Sequence, residues 1–106
     1  MNLSSKRCIA CNSDSEPLSN DIINEYLQDA DQWHSKDNKS ICRSFKFKNF
    51  QNAIDFVNKI GVIAENENHH PDIEFGWGYC NITLQTHSIG GLHENDFIVA
   101  AKIDEL

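Results

Sequence analysis

The stretch AENENHHPDIEF, residues 64–75, brings Glu65, His69, His70 and Asp72 together where one element ends and another begins. A third imidazole, His87, follows a run of alternating residues. Histidine titrates near neutral pH and can both donate and accept a proton. Three such side chains around one point could therefore carry general acid–base chemistry. Three histidines with an open fourth position also describe a catalytic zinc set, and histidines can simply cap helix ends or pack. Spacing and periodicity alone do not separate acid–base work from metal. Cys8-x-x-Cys11 is half of a zinc pattern, but no second CxxC or HxxxH follows at zinc-finger spacing. It lies in a polar segment rather than at a strand-to-helix junction, so its cysteines are read as reduced thiols of a leader.

The elements that must position the histidines follow from periodicity. After a leader of residues 1–17 that ends at Pro17, residues 18–106 read as a single domain. LSNDIINEYLQDA predicts a helix with Ser19 as N-cap, Asp21 in the first turn and a Leu18–Ile23 staple. Ile22, Ile23, Tyr26, Leu27 and Ala30 would form its apolar face. WHSKDNKSICRSFKFK predicts two short strands around a turn at Asp37-Asn38, with Phe45 and Phe47 alternating with polar neighbours. Phe50, Ala53, Ile54, Val57, Ile60 and Ala64 recur at three- and four-residue steps and predict the clearest helix. Pro71 cannot continue that helix and biases His70 toward extended backbone, so the helix must finish at or before the two histidines.

Beyond Pro71, Ile73, Phe75 and Trp77 alternate, with Phe75 and Trp77 read as hairpin core. Cys80, Ile82, Leu84 and Thr86 then share one face of a second strand, with His87 ending it on the other. SIGGLHEN is a turn, and DFIVAAKIDEL a closing helix packed through Phe97, Ala100, Ala101 and Leu106. The order α-β-β-α-β-β-α implies an α+β two-layer sandwich, a four-stranded antiparallel sheet with helices on one face. If the strands of the second hairpin pair closely, His69, His70 and His87 gather at one end of the sheet. His34 and His93 are read as surface residues.

Composition limits the partners. Residues 1–106 are enough for one core, with six Phe, two Trp and two Tyr among them. The net charge of −7, without a basic stripe, argues against direct binding of nucleic acid or an anionic membrane. No apolar run approaches a membrane span, and the N-terminus has no apolar signal-peptide core. The expected location is the cytoplasm.

AENENHHPDI, the strand after it, LQTHSIGGL and Asp96 together resemble the pterin-4a-carbinolamine dehydratase family. Its signature is an acidic residue, three others, His-His-Pro, an aromatic, a third His and then an Asp. Here these are Glu65, His69-His70-Pro71, Trp77, His87 and Asp96. Trp33, the Phe45-x-Phe47 strand and the RCIAC…PLS leader look like its bacterial members, so the resemblance covers nearly the whole chain. This sequence has Trp77-Gly78 where the family usually has Tyr-Asn, and His93 where it often has a Thr suited to cap the last helix.

The resemblance implies a hydro-lyase that dehydrates 4a-hydroxytetrahydropterin to quinonoid dihydropterin, recycling the pterin of aromatic amino-acid hydroxylases. It implies no metal and no cofactor, the pterin being substrate. Its catalytic residues would be His69 and His87 as proton-transfer groups, with His70 binding and orienting the substrate and sharing in proton transfer. Glu65, Thr86, Asp96 and Trp33 would bind or orient, Trp33 as a pocket wall. Which histidine is acid and which is base stays open. The family also implies a homodimer or homotetramer. Its animal members serve as dimerisation cofactors for a homeodomain transcription factor, which makes an interaction module the second reading. A zinc protein using the histidines with Cys8 and Cys11 is the third.

Overall fold

The structure, a computed structural model, describes residues 3–10 and 15–106; Cys11 and the zinc half-pattern it completes lie outside them. A single 3-10 turn, Leu3–Ser5, precedes helix α1, Asn20–Gln28. The Ser19 hydroxyl caps α1 by accepting the Ile22 N–H. Ile23 is fully buried, but Ile22 is exposed, so the apolar face is narrower than its sequence suggests. Strands β1 (His34–Lys36) and β2 (Ser40–Lys46) form the first hairpin. Asp37 and Asn38 both take positive φ at its turn, a conformation short polar side chains tolerate well. Helix α2, Phe50–Glu67, is capped by the Asn49 side chain accepting the Asn52 N–H. Strands β3 (Asp72–Gly76) and β4 (Tyr79–Leu84) make the second hairpin, and helix α3, Glu94–Asp104, closes the chain.

All pairings are antiparallel and the sheet order is β1-β2-β4-β3. The register sets Ile41 opposite Leu84, Phe45 opposite Cys80 and Ile73 opposite Ile82. Alternation therefore puts these residues on one face. That face meets Ile23 of α1, Ile60 of α2 and Phe97, Ile98 and Ile103 of α3 in one buried cluster. This is the expected α+β two-layer arrangement. No helix among the described residues is long and apolar enough to cross a membrane.

Three local expectations are corrected. Trp77, read as hairpin core, is 72% exposed at the β3–β4 tip, and Phe75 is partly exposed on the edge strand. Trp77 lies past the last strand pair, Gly76–Tyr79, while Phe75, opposite Cys80, is covered on one side by Phe50 of α2. Strand β4 stops at Leu84 rather than running to His87, which opens a second 3-10 turn, His87–Ile89. Leu106 is exposed and adds nothing to the buried cluster. The described part of the leader packs on the domain: Leu3 is buried, and Lys102 of α3 donates to the Ser4 carbonyl.

Candidate active site

Helix α2 ends because Asn68 swings into the left-handed region, φ 51 and ψ 41. Its N–H and that of His69 both turn back to the Ala64 carbonyl, which satisfies the last turn as a left-handed cap does. The next residues, His69 and His70, thus lie outside the helix, between its left-handed cap and Pro71. At the far end of the hairpin, Thr86 exchanges backbone hydrogen bonds with Gly91 across a tight loop. Gly90 closes the His87–Ile89 turn at φ 67, a conformation that favours glycine. A Cβ at Gly91 would lie 2.8 Å from that of Pro17, so the loop also needs glycine where the leader crosses it.

These two chain ends meet over a cavity of about 290 Å³. His69, His70 and His87 all line it, with Thr86 and Gln85 from the strand end and Asn95 from the start of α3. The gathering expected from the hairpin is therefore present, although His87 reaches it from a 3-10 turn.

The three imidazoles sit in different surroundings. His69 is 12% exposed, and its Nε2 is 2.6 Å from Asp96 Oδ1. Asp96 is fully buried, and its Oδ2 accepts the Thr86 hydroxyl at 2.8 Å and the His93 N–H at 3.1 Å. Asp96 thus accepts from two groups with one oxygen and faces the His69 ring with the other. The Nε2–H tautomer of His69 would donate to it and leave Nδ1 as an acceptor. His70 pairs through Nε2 with Glu65 Oε2, and both side chains are open to solvent. His87 Nε2 stands 4.0 Å from Asp72 Oδ2, also exposed. Each histidine has a carboxylate, and only that of His69 is sealed from water.

His93, read as a surface residue and a weak substitute for threonine, is the N-cap of α3. Its Nδ1 accepts the Asn95 N–H at 3.0 Å, while Asp96 returns to its backbone N–H, a reciprocal capping box. An imidazole nitrogen here does the work usually given to a hydroxyl or amide oxygen. Asp96 thus both complements the helix start and holds His69.

Trp33 does not line the cavity. It is buried in the core, its indole N–H donating to Asp104, which also pairs with Arg43 at 2.6 Å. Asn95, Gln85, Asn68 and Ser88 line the cavity without having been singled out, because amides and hydroxyls in loops carry no spacing signal. Ile9 and Ala10 of the leader do so too. No group of three or more His, Cys, Asp or Glu converges in a metal-holding geometry among the described residues. Burial and the nearby Glu67 carboxylate push the Cys8 thiol up to about 12, far from the thiolate that metal binding or nucleophilic attack requires.

A family model described as Pterin 4 alpha carbinolamine dehydratase matches residues 16–106. A protein of Methylococcus capsulatus carrying the name pterin-4-alpha-carbinolamine dehydratase is 48% identical over 105 residues, 98% of this chain and 92% of that one. One of Rubrobacter xylanophilus with the same name is 45% identical over 98% of this chain and 97% of its own. Among solved structures, the transcriptional coactivator/pterin dehydratase of Brucella melitensis superposes with a TM-score of 0.80 at 35% identity, covering 85% of this chain and 97% of that one. A pterin dehydratase-like protein described as a RuBisCO assembly factor in the alpha-carboxysome gives 0.59 at 25% identity, over 70% and 90%.

Proposed function

The chain belongs to the pterin-4a-carbinolamine dehydratase family, and from that premise we propose that it dehydrates 4a-hydroxytetrahydropterin to quinonoid dihydropterin by histidine acid–base catalysis. The observation that carries this reading is the convergence of His69, His70 and His87 on one cavity, with His69 fixed by a buried carboxylate.

The chemistry asks for two proton movements. The 4a-hydroxyl is a poor leaving group as hydroxide, so a proton must reach its oxygen as the C4a–O bond breaks. The N5 proton must leave, and its electron pair closes the C4a=N5 double bond. Water departs, no electrons are exchanged, and the enzyme regains its protonation state by proton exchange with solvent. In this reading the pterin is the substrate and no further cofactor takes part. His69, with Nε2–H engaged by Asp96, offers Nδ1 as base and is stabilised as imidazolium when it takes a proton. His87 and His70 stand at the open side, where a donor can be reprotonated from solvent. Glu65, Thr86 and Asp96 orient rings or meet the polar edge of the pterin. Product would feed a pterin-dependent hydroxylase after reduction, and a cytoplasmic place of action goes with this role.

Self-association is part of the same proposal. Phe50 and Phe75 stack at 5.9 Å at the partly exposed edge where α2 meets β3, with Trp77 two positions after Phe75 at the hairpin tip. Exposed aromatics of this kind favour a second copy or another partner, the feature that keeps an interaction role as the second reading.

The test is the rate of loss of 4a-hydroxytetrahydropterin with enzyme, without it, and with a chelator. Acceleration that survives the chelator supports metal-free dehydration. Acceleration abolished by it moves the histidines to a metal site, and none at all from folded protein puts the interaction role first.

A further inference from the structure

Among the described residues, only two apolar side chains line the histidine cavity, Ile9 and Ala10, and both come from the leader. Every other lining group is an imidazole, an amide or a hydroxyl. A flat heterocycle has polar edges and apolar faces, and pockets that bind such ligands set apolar surface against the faces. The body of the domain supplies none here.

The leader is tied down beside the cavity by side chains of α2 and α3. Asn95 is almost fully buried; its Oδ1 accepts the Ile9 N–H at 3.0 Å and its Nδ2 donates to the Ile9 carbonyl at 2.6 Å. One amide side chain thus grips both backbone groups of one residue, as a neighbouring strand would. Glu67, at the end of α2, accepts the Cys8 N–H at 2.8 Å and pairs with Arg7 at 3.1 Å. Arg7 also donates to the Asn66 carbonyl. Two buried side chains therefore fix the backbone of residues 8 and 9, while the Ile9 side chain itself is left 67% exposed. Leaving a large aliphatic in water next to a polar cavity costs free energy unless something covers it.

We infer that residues 7–10 form a strap whose Ile9 side chain is the apolar wall on which the pterin ring packs, with Asn95 as the positioning residue that sets it. This rests on the dehydratase reading and adds a binding contact made from outside the histidine motif.

The experiment compares wild type, Ile9→Glu and Ile9→Leu for KM and kcat in dehydration, and for Kd of stable 7,8-dihydropterins with and without a 6-substituent. Ile9 is exposed, so these variants keep the fold. Ile9→Glu should raise KM and both Kd values on the order of ten-fold with kcat little changed, and Ile9→Leu should restore them. Asn95→Ala should raise KM similarly, and adding it to Ile9→Glu should raise it no further if the amide acts through Ile9. Unchanged KM and Kd in Ile9→Glu, beside an active wild type, would overturn the strap alone. A loss confined to the 6-substituted pterin would overturn the ring contact. Wild-type protein that neither binds nor dehydrates the pterin would overturn the dehydratase reading, and the strap with it.

Discussion

His69 and His70 are adjacent, and each has a carboxylate partner, yet the two pairs are physically opposite. His69 meets Asp96, which is shut from solvent and satisfied by Thr86 and His93 as well. His70 meets Glu65, whose side chain is 77% exposed. The contrast repeats two residues away: Glu67, on the same helix end, is 5% exposed and paired with Arg7. In the buried corner each carboxyl group is held by several neighbours at once and is shut from water. On the rim, water competes for every bond, and the pair is worth little to the fold. A family motif that writes these residues in one line thus contains a rigid part and a solvated part, and they should fail differently.

The largest effect is expected from His69→Ala. Turnover should fall roughly 10²–10⁴-fold, the usual weight of a positioned acid–base group. Far-UV circular dichroism should stay as in wild type, because Asp96 keeps its other two donors. Unchanged turnover would remove His69 from the catalytic set.

Next comes Asp96→Asn, which should act on both activity and stability. It replaces the carboxyl group that orients His69 and weakens the reciprocal cap with His93. Turnover should drop, by less than in His69→Ala, and denaturant unfolding should show a loss of about 1–3 kcal/mol. A variant that loses activity at full stability would mean that the corner is catalytic without being structural.

Glu67→Gln gives a smaller effect with a pH signature. Burial acts to raise the pKa of Glu67, but the Cys8 N–H, Arg7 and Lys102 outweigh it and hold the carboxyl below its ordinary 4.5. A depressed carboxylate contributes stability that is present above its unfolded pKa and lost as pH falls through the lowered folded value. Wild type should therefore exceed Glu67→Gln by about 1 kcal/mol near neutral pH, and the two unfolding curves should converge in acid. A gap that persists at the lowest pH would assign Glu67 a packing role instead of a charge role.

How much of this was legible in the sequence follows the same division. The element order, the sheet and the end of α2 were readable, because periodicity and Pro71 are local signals. The meeting of the three histidines followed from hairpin geometry. The difference between His69 and His70 was not readable, since it depends on the left-handed turn at Asn68 and on Asp96 arriving from α3. The His93 cap was missed because imidazole is an uncommon capping group. The strap was missed because Asn95 and Ile9 are 86 positions apart, and an asparagine clamp leaves no periodic trace. Trp77 was misplaced because alternation says which face a residue takes but not whether anything covers that face.

The smallest effect is expected where the motif looks richest. Glu65→Gln removes the charge opposite His70 but leaves a hydrogen-bonding group of the same shape. With the pair exposed, its Coulomb energy is shared with water and its loss should change stability by no more than roughly 0.5 kcal/mol. Turnover should fall less than in Asp96→Asn, because an exposed imidazole can reorient and recover a proton from solvent without the carboxylate. Measured side by side, the two carboxylate variants read the comparison directly. If Glu65→Gln costs as much activity as Asp96→Asn, the rim pair must be ordered by bound substrate, and exposure in the free protein would no longer rank the three histidines.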